Sequence, residues 1–137
     1  MVTGVQTCAL PIYGKWLAYD SDESGRFEVY AIPFPPTGAR WPLSANGGGQ
    51  TRWRGDGREL FFLSPDGTMM AVDIQAGATI ERGSPHALFK TNLQPSFTTD
   101  QYAVTSNGQQ FLIMNPVGET SQTPMTVVID WPALIRK

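Results

Sequence analysis

Three segments of the chain share one pattern: a glycine, a long polar residue, then a largely apolar run. They are Tyr13-Gly14-Lys15-Trp16-Leu17-Ala18-Tyr19, Asp56-Gly57-Arg58-Glu59-Leu60-Phe61-Phe62 and Asn107-Gly108-Gln109-Gln110-Phe111-Leu112-Ile113. The last two open on Asp-Gly and Asn-Gly. These are strong hairpin signals, because both central residues of a type I′ turn need positive φ. Gly14 and Gly57 are 43 residues apart, and Gly57 and Gly108 are 51 apart. Units of that length fit the four-stranded blade of a β-propeller.

The middle repeat predicts all four strands, lettered a to d in chain order. Strand a runs over 50–54, b over 58–64 after the Asp56-Gly57 turn, and c over 68–75 after Pro65-Asp66-Gly67. Strand d follows a loop, over 85–92. Leu60-Phe61-Phe62-Leu63 is apolar without alternation, which predicts a strand buried on both faces. Blades stacked against two neighbours bury their middle strands in that way. A two-layer sandwich, which favours polar outward positions, is the second choice. The first repeat supplies b (15–19), c (27–34) and d (40–44) but no strand a. The last supplies a (101–105), b (109–114) and c (125–131) but no strand d, with a short tail from Trp131 to Ile135 that fits one helical turn, followed by Arg136-Lys137. The expected fold is therefore all-β: about two and a half to three four-stranded antiparallel blades of a partial propeller.

Composition narrows the picture. Of 137 residues, 14 are Gly and 11 are Pro, and aromatics reach 11%, a profile of many turns and short strands. Charged residues are 16% and the net charge is -2, which leaves no basic footprint for nucleic acid. No stretch approaches the roughly 18–20 apolar residues of a membrane-spanning helix. One Cys excludes a disulfide within the chain and any Cys-based zinc site.

Residues 1–12, Met-Val-Thr-Gly-Val-Gln-Thr-Cys-Ala-Leu-Pro-Ile, lack the basic n-region and long apolar core of a signal peptide. Val2 to Ile12 instead coincide with the in-frame translation of a common short-read sequencing adapter, which leaves a single T over. That T would begin a Tyr codon where G would make Asp. We therefore read 1–12 as a non-native segment and Tyr13 as standing where the gene encodes aspartate, which would complete the set of turns. Residues 13–137 are then the C-terminal blades of a truncated propeller, missing their N-terminal neighbours. Such a piece is expected to fold poorly alone, because repeat units need neighbours to bury their faces.

Gly14-Lys15-Trp16-Leu17-Ala18-Tyr19, Glu28-Val29-Tyr30 and Ser64-Pro65-Asp66-Gly67 resemble the WD40-like (TolB-type) propeller repeats of bacteria. Arg52-Trp53-Arg54, Gly57-Arg58-Glu59-Leu60-Phe61-Phe62 and Thr126-Val127-Val128-Ile129-Asp130-Trp131 are similar to the C-terminal blades of large soil-bacterial proteins. There the propeller is often appended to a Ser/Thr protein kinase domain. The resemblance implies a binding or scaffolding domain with a protein or peptide partner, no family-wide catalytic residues, no cofactor, and a periplasmic or extracytoplasmic setting. The competing class is the propeller of a prolyl-oligopeptidase-like peptidase, whose hydrolase domain would follow the blades. A third is a periplasmic accessory protein with no enzyme attached.

Candidate sites are few. Asp20-Ser21-Asp22-Glu23-Ser24-Gly25 imitates the first half of a calcium loop, but Ala31 stands where the bidentate Glu belongs, so a solvated hairpin loop is the better reading. Gly47-Gly48-Gly49 lacks the Lys-Ser/Thr of a phosphate loop and reads as a crossing between blades. His86, without a second ligand or a nucleophile elbow, reads as ordinary packing on strand d. Trp16, Trp41, Trp53, Trp131, Phe61 and Phe62 read as blade-to-blade contacts before a recognition surface. Arg52 and Arg54 flank Trp53 on an inner strand, so both should face opposite to it. They are the candidate ligand-facing residues, directed to the central channel or paired with a neighbouring blade's acid.

Overall fold

The computed structural model describes residues 5–9, 15–96, 99–115 and 126–129, the first and last of these stretches as backbone only. Tyr13, Gly14 and the tail from Trp131 lie outside the described residues. Every regular element among the described residues is a strand. The first sheet runs β1 (Val5–Ala9), β2 (Trp16–Ser21), β3 (Glu28–Pro33), β4 (Trp41–Pro42), each antiparallel to the next. The second runs β5 (Gly49–Trp53), β6 (Glu59–Leu63), β7 (Thr68–Ala76), with β8 (Ile80–Arg82) and β9 (His86–Lys90) both on the outer edge of β7. The third is β10 (Tyr102–Val104), β11 (Gln110–Ile113), β12 (Thr126–Ile129).

These sheets are successive antiparallel blades of a partial β-propeller, and the middle strand of the middle sheet shows why they stack. On β6, Leu60 and Phe62 point into one apolar seam with Trp16, Ala18, Val29, Ala31 and Leu43 of the first sheet. Phe61 and Leu63 point into a second seam with Tyr102, Phe111 and Ile113 of the third. All four are buried. A sheet covered on both faces makes three layers, so the two-layer sandwich does not describe this chain.

Three expectations need correction. The first sheet does have an inner strand: β1 pairs with β2, with Cys8 opposite Tyr19 and Ala9 opposite Ala18. The Asp-Gly and Asn-Gly turns are not type I′. Gly57 N–H donates to Arg54 O (2.9 Å) and Gly108 N–H to Thr105 O (2.8 Å), and only the glycines, at φ 74° and 71°, are left-handed. Asp56 and Asn107 serve instead as side-chain acceptors, each taking the N–H two residues on at 3.0 Å. Finally, the stretch expected as a plain loop before strand d carries a short strand of its own, because β8 returns through a tight hairpin onto the end of β7; strand d itself is β9, inside the expected 85–92.

The b–c turn of the second sheet has its own constraint. Gly67 N–H closes onto Ser64 O at 3.0 Å, and Gly67 has φ 83°. A Cβ there would lie 2.5 Å from Leu93 O, so both the backbone conformation and the space demand glycine.

Candidate functional site

The site begins at a backbone irregularity. The β5–β6 pairing slips between Gly49 and Arg52, and Gln50 inside the slip has φ 58°, a left-handed conformation that a side chain makes costly. What holds Gln50 there is a set of hydrogen bonds to the third blade. Its carboxamide Nε2 donates to Gln101 Oε1 and to Ser96 O, both at 2.6 Å. Its Oε1 accepts from Gln101 N–H at 2.9 Å, and its carbonyl accepts from Tyr102 Oη at 2.6 Å. The residue is fully buried, so each of these bonds replaces one that water would otherwise make. Burial pushes the Tyr102 phenol well above its ordinary value, so it remains a donor throughout the physiological range.

Beyond the slip the strand alternates as expected. Trp53 packs into the first seam. Arg52 and Arg54 are directed toward the third blade, but to different acids. Arg52 lies over the Tyr102 ring, 5.5 Å from its centroid, with Nη2 2.8 Å from Asp100 Oδ1 and Nη1 donating to Thr51 O at 2.8 Å. Its side chain is 25% exposed and that of Asp100 is 69% exposed. An ion pair with one partner so open to water is worth at most about 1 kcal/mol, so a ligand's anion can replace Asp100 at small cost.

Arg54 is held differently. Its Nε and Nη2 donate to Asp56 Oδ1 and Oδ2, both at 2.8 Å, and Nη1 lies 3.5 Å from Glu59. Its alkyl stem lies against Gly108, where an added Cβ would come within 2.9 Å of Arg54 Cδ. The forked guanidinium bonds hold the Asp56 carboxyl down to about 2. Glu59 moves the other way, because burial raises its pKa against the attraction of Arg54. Arg54 also lines a cleft of about 750 Å³ with Trp16, Trp53, Arg58 and Asp73, which Arg52 does not line. The two arginines therefore belong to two neighbourhoods. Arg52 joins Asp100, Tyr102 and Gln50, whereas Arg54 ties down the turn.

The remaining motifs are placed plainly. Asp20 and Ser21 are buried at the end of β2, while Asp22–Gly25 form a turn and Glu23 pairs with Arg40. Among the described residues no three metal-ligating side chains gather in one place. Gly47–Gly49 carry the crossing between the first two blades, where Gly47 N–H donates to the buried Glu28 Oε2 at 3.0 Å. His86 is exposed at the start of β9 and is not packed in the core. Trp16 meets Trp41 edge to face at 5.2 Å, and both, with Trp53, belong to the first seam. Trp131 lies outside the described residues.

Sequence reasoning passed over Gln50, Gln101 and Tyr102. A signal was present, since Gln50 and Gln101 are 51 residues apart, the same spacing as Gly57 and Gly108. The two glutamines occupy equivalent places in consecutive blades.

No family model and no curated protein matches the chain. Among solved structures it is similar to TolB from Acinetobacter baumannii, at 15% identity and a TM-score of 0.41. That match covers 77% of this chain, which spans only 36% of the length of that one.

Proposed function

We propose that the chain is a run of blades from a non-enzymatic interaction or ligand-sensing propeller of a larger bacterial protein, kinase-linked or TolB-like. The missing neighbours come from its own parent. Residues 2–12 are foreign to that domain, and Tyr13 replaces an aspartate. The ligand is a protein or peptide that presents a carboxylate to Arg52.

One observation carries this reading. Arg52 is held in place by a buried hub, yet its counter-ion Asp100 is mostly solvated, so the guanidinium is positioned without being fully committed. A planar carboxylate arriving from solvent finds a cation already seated on the Tyr102 ring. Arg guanidinium groups favour such bidentate, stacked recognition.

The test is titration of the full-length parent with an acidic peptide library, followed by single substitutions. Arg52→Ala is expected to weaken the best binder about tenfold, the worth of one exposed charge-assisted contact. Arg54→Ala is expected to reduce stability and leave affinity within about twofold once the protein is folded. Affinity unchanged by Arg52→Ala would overturn the assignment.

A further inference from the structure

We propose that the cleft beside Arg54 is a second ligand site, separate from Arg52, and that it takes a zwitterionic α-amino acid with a bulky apolar side chain. This goes beyond the carboxylate contact at Arg52 and does not depend on it. It depends only on the stacking of the first two sheets.

The cleft exists because β7 is longer than its inner neighbour. The β6–β7 ladder ends at Glu59↔Asp73, with one further bond from Ile74 N–H to Arg58 O at 2.9 Å. Gln75 and Ala76 run on beyond it, paired to β8 on the outer edge. Among the described residues no strand covers their inner edge. Where β7 overhangs in this way nothing separates its two pleats, so Asp73 and Gln75 line the same cleft as Ile74 and Ala76. Trp16 closes it from the first blade. Its volume of about 750 Å³ lies within the roughly 300–1,000 Å³ of small-molecule pockets.

The walls hold three kinds of unused chemistry. Trp53 stands opposite Leu60, and Arg58 is two residues before Leu60, so both side chains are directed to the face toward the first blade. Trp53 Nε1 is buried without a hydrogen-bond partner. A donor cut off from water with no acceptor is costly. The ion pairs of the turn are closed among Arg54, Asp56 and Glu59. Arg58 and Asp73 are exposed and enter no ion pair among the described residues. Single charges on an open surface are ordinary. Here one of each sign borders an apolar wall of Trp16, Trp53 and Ile74.

These properties select the ligand. A simple anion would satisfy Arg58 but be repelled by Asp73, and a simple cation would meet the reverse. A zwitterion answers both. Its carboxylate has two oxygens to accept from Arg58 and from the Trp53 N–H, and its ammonium donates to Asp73. A bulky apolar side chain then covers the Trp16 and Ile74 wall.

Calorimetric titration of the whole chain tests this with three probes of one size. L-leucine carries both charges, 4-methylpentanoate lacks the ammonium, and 3-methylbutylamine lacks the carboxylate. L-leucine should bind about tenfold tighter than either analogue, the worth of one charge-assisted contact. Arg58→Ala should weaken L-leucine about tenfold and leave the amine within about twofold. Asp73→Asn should weaken L-leucine likewise and leave the acid no weaker. Trp53→Phe keeps an aromatic ring but deletes the N–H, and should weaken L-leucine about fivefold. Arg52→Ala should leave it within about twofold.

No saturable heat with L-leucine, or an analogue that matches it, overturns the site. Loss of L-leucine binding in Arg52→Ala overturns its separation from the Arg52 neighbourhood. Amide exchange at 60–63 separates the levels. Fast exchange there in the unmodified chain overturns the stacking of sheets and the cleft with it. Slow exchange there without L-leucine binding overturns the amino-acid site alone.

Discussion

Replacing Phe61 and Phe62 one at a time asks whether both faces of the middle blade are buried. The neighbours on β6 are 0% and 1% exposed and point into different seams. Phe61 meets Phe111 edge to face at 5.1 Å. Phe62 lies so close to the inter-blade crossing that a Cβ on Gly48 would come within 2.5 Å of its ring. Truncating a buried phenylalanine to alanine costs about 3–5 kcal/mol, transfer and cavity together. Each substitution should therefore remove a large share of the roughly 5–15 kcal/mol of a typical folded domain. Urea unfolding at low protein concentration, followed by far-UV circular dichroism, gives the loss from the shift in midpoint. Tryptophan emission assigns it to a seam. Trp16, Trp41 and Trp53 all belong to the first seam, so with Trp131 replaced by Phe in every variant, Phe62→Ala should alter the native emission and Phe61→Ala should leave it nearly unchanged. A loss below about 1 kcal/mol for either variant would mean that its face is open to solvent, and the stacking of three sheets would be refuted.

Gln50→Ala leaves Gln101 N–H and Ser96 O without their carboxamide partner and should cost about 2–4 kcal/mol. Gln50→Gly loses the same bonds but relieves the φ of 58°, so it should be the milder change by about 1 kcal/mol in the same urea titration. Gly67→Ala combines a left-handed φ with a contact onto Leu93 O and should cost about 2 kcal/mol or more, read from the same midpoint. The Arg54 pair sets an acid limb. Asp56 falls from an unfolded value of about 3.9 to about 2 in the folded chain. Its contribution is therefore present above the unfolded value and lost as pH falls through the folded one. Asp56 is half exposed, so water screens the pair and the effect is modest. Glu59 opposes it, because a raised carboxyl loses stability as pH rises through its own folded value. Asp56→Asn should flatten the decline in melting temperature below about pH 4, and an unaltered acid limb would contradict the assignment. On the outer side of the third blade Leu112 and Met114 are 37% and 54% exposed. Leu112→Lys with Met114→Glu should raise the concentration at which light scattering first detects association.

Much of this architecture was legible because it depends on local patterns. The non-alternating Leu60-Phe61-Phe62-Leu63 run has one economical explanation, a strand with a neighbour on each face, and the three-sheet stack supplies it. Turn positions followed from Asp56-Gly57, Asp66-Gly67 and Asn107-Gly108. Their type did not, since whether one or two residues adopt positive φ depends on loop length and on the twist of the strands being joined. The opposite facing of Arg52 and Arg54 to Trp53 was readable from the pleat alone. Which acids they meet was not: Asp100 is 48 residues from Arg52, whereas Asp56 is two from Arg54.

By itself the sequence determined the all-β class, the blade-length repeat and the seams' apolar residues. These are properties of composition, spacing and short-range backbone preference, which act before the chain is packed. Tertiary structure decided the rest. It placed β1 beside β2, a pairing between backbone edges that the pattern of residues 5–9 does not announce. It made Gln50 a link between blades because only stacking brings positions 51 residues apart to hydrogen-bonding distance. It also divided two similar arginines, one locked to its own turn and one paired across the blades with a solvated acid, since a long-range ion pair exists only once the sheets have met.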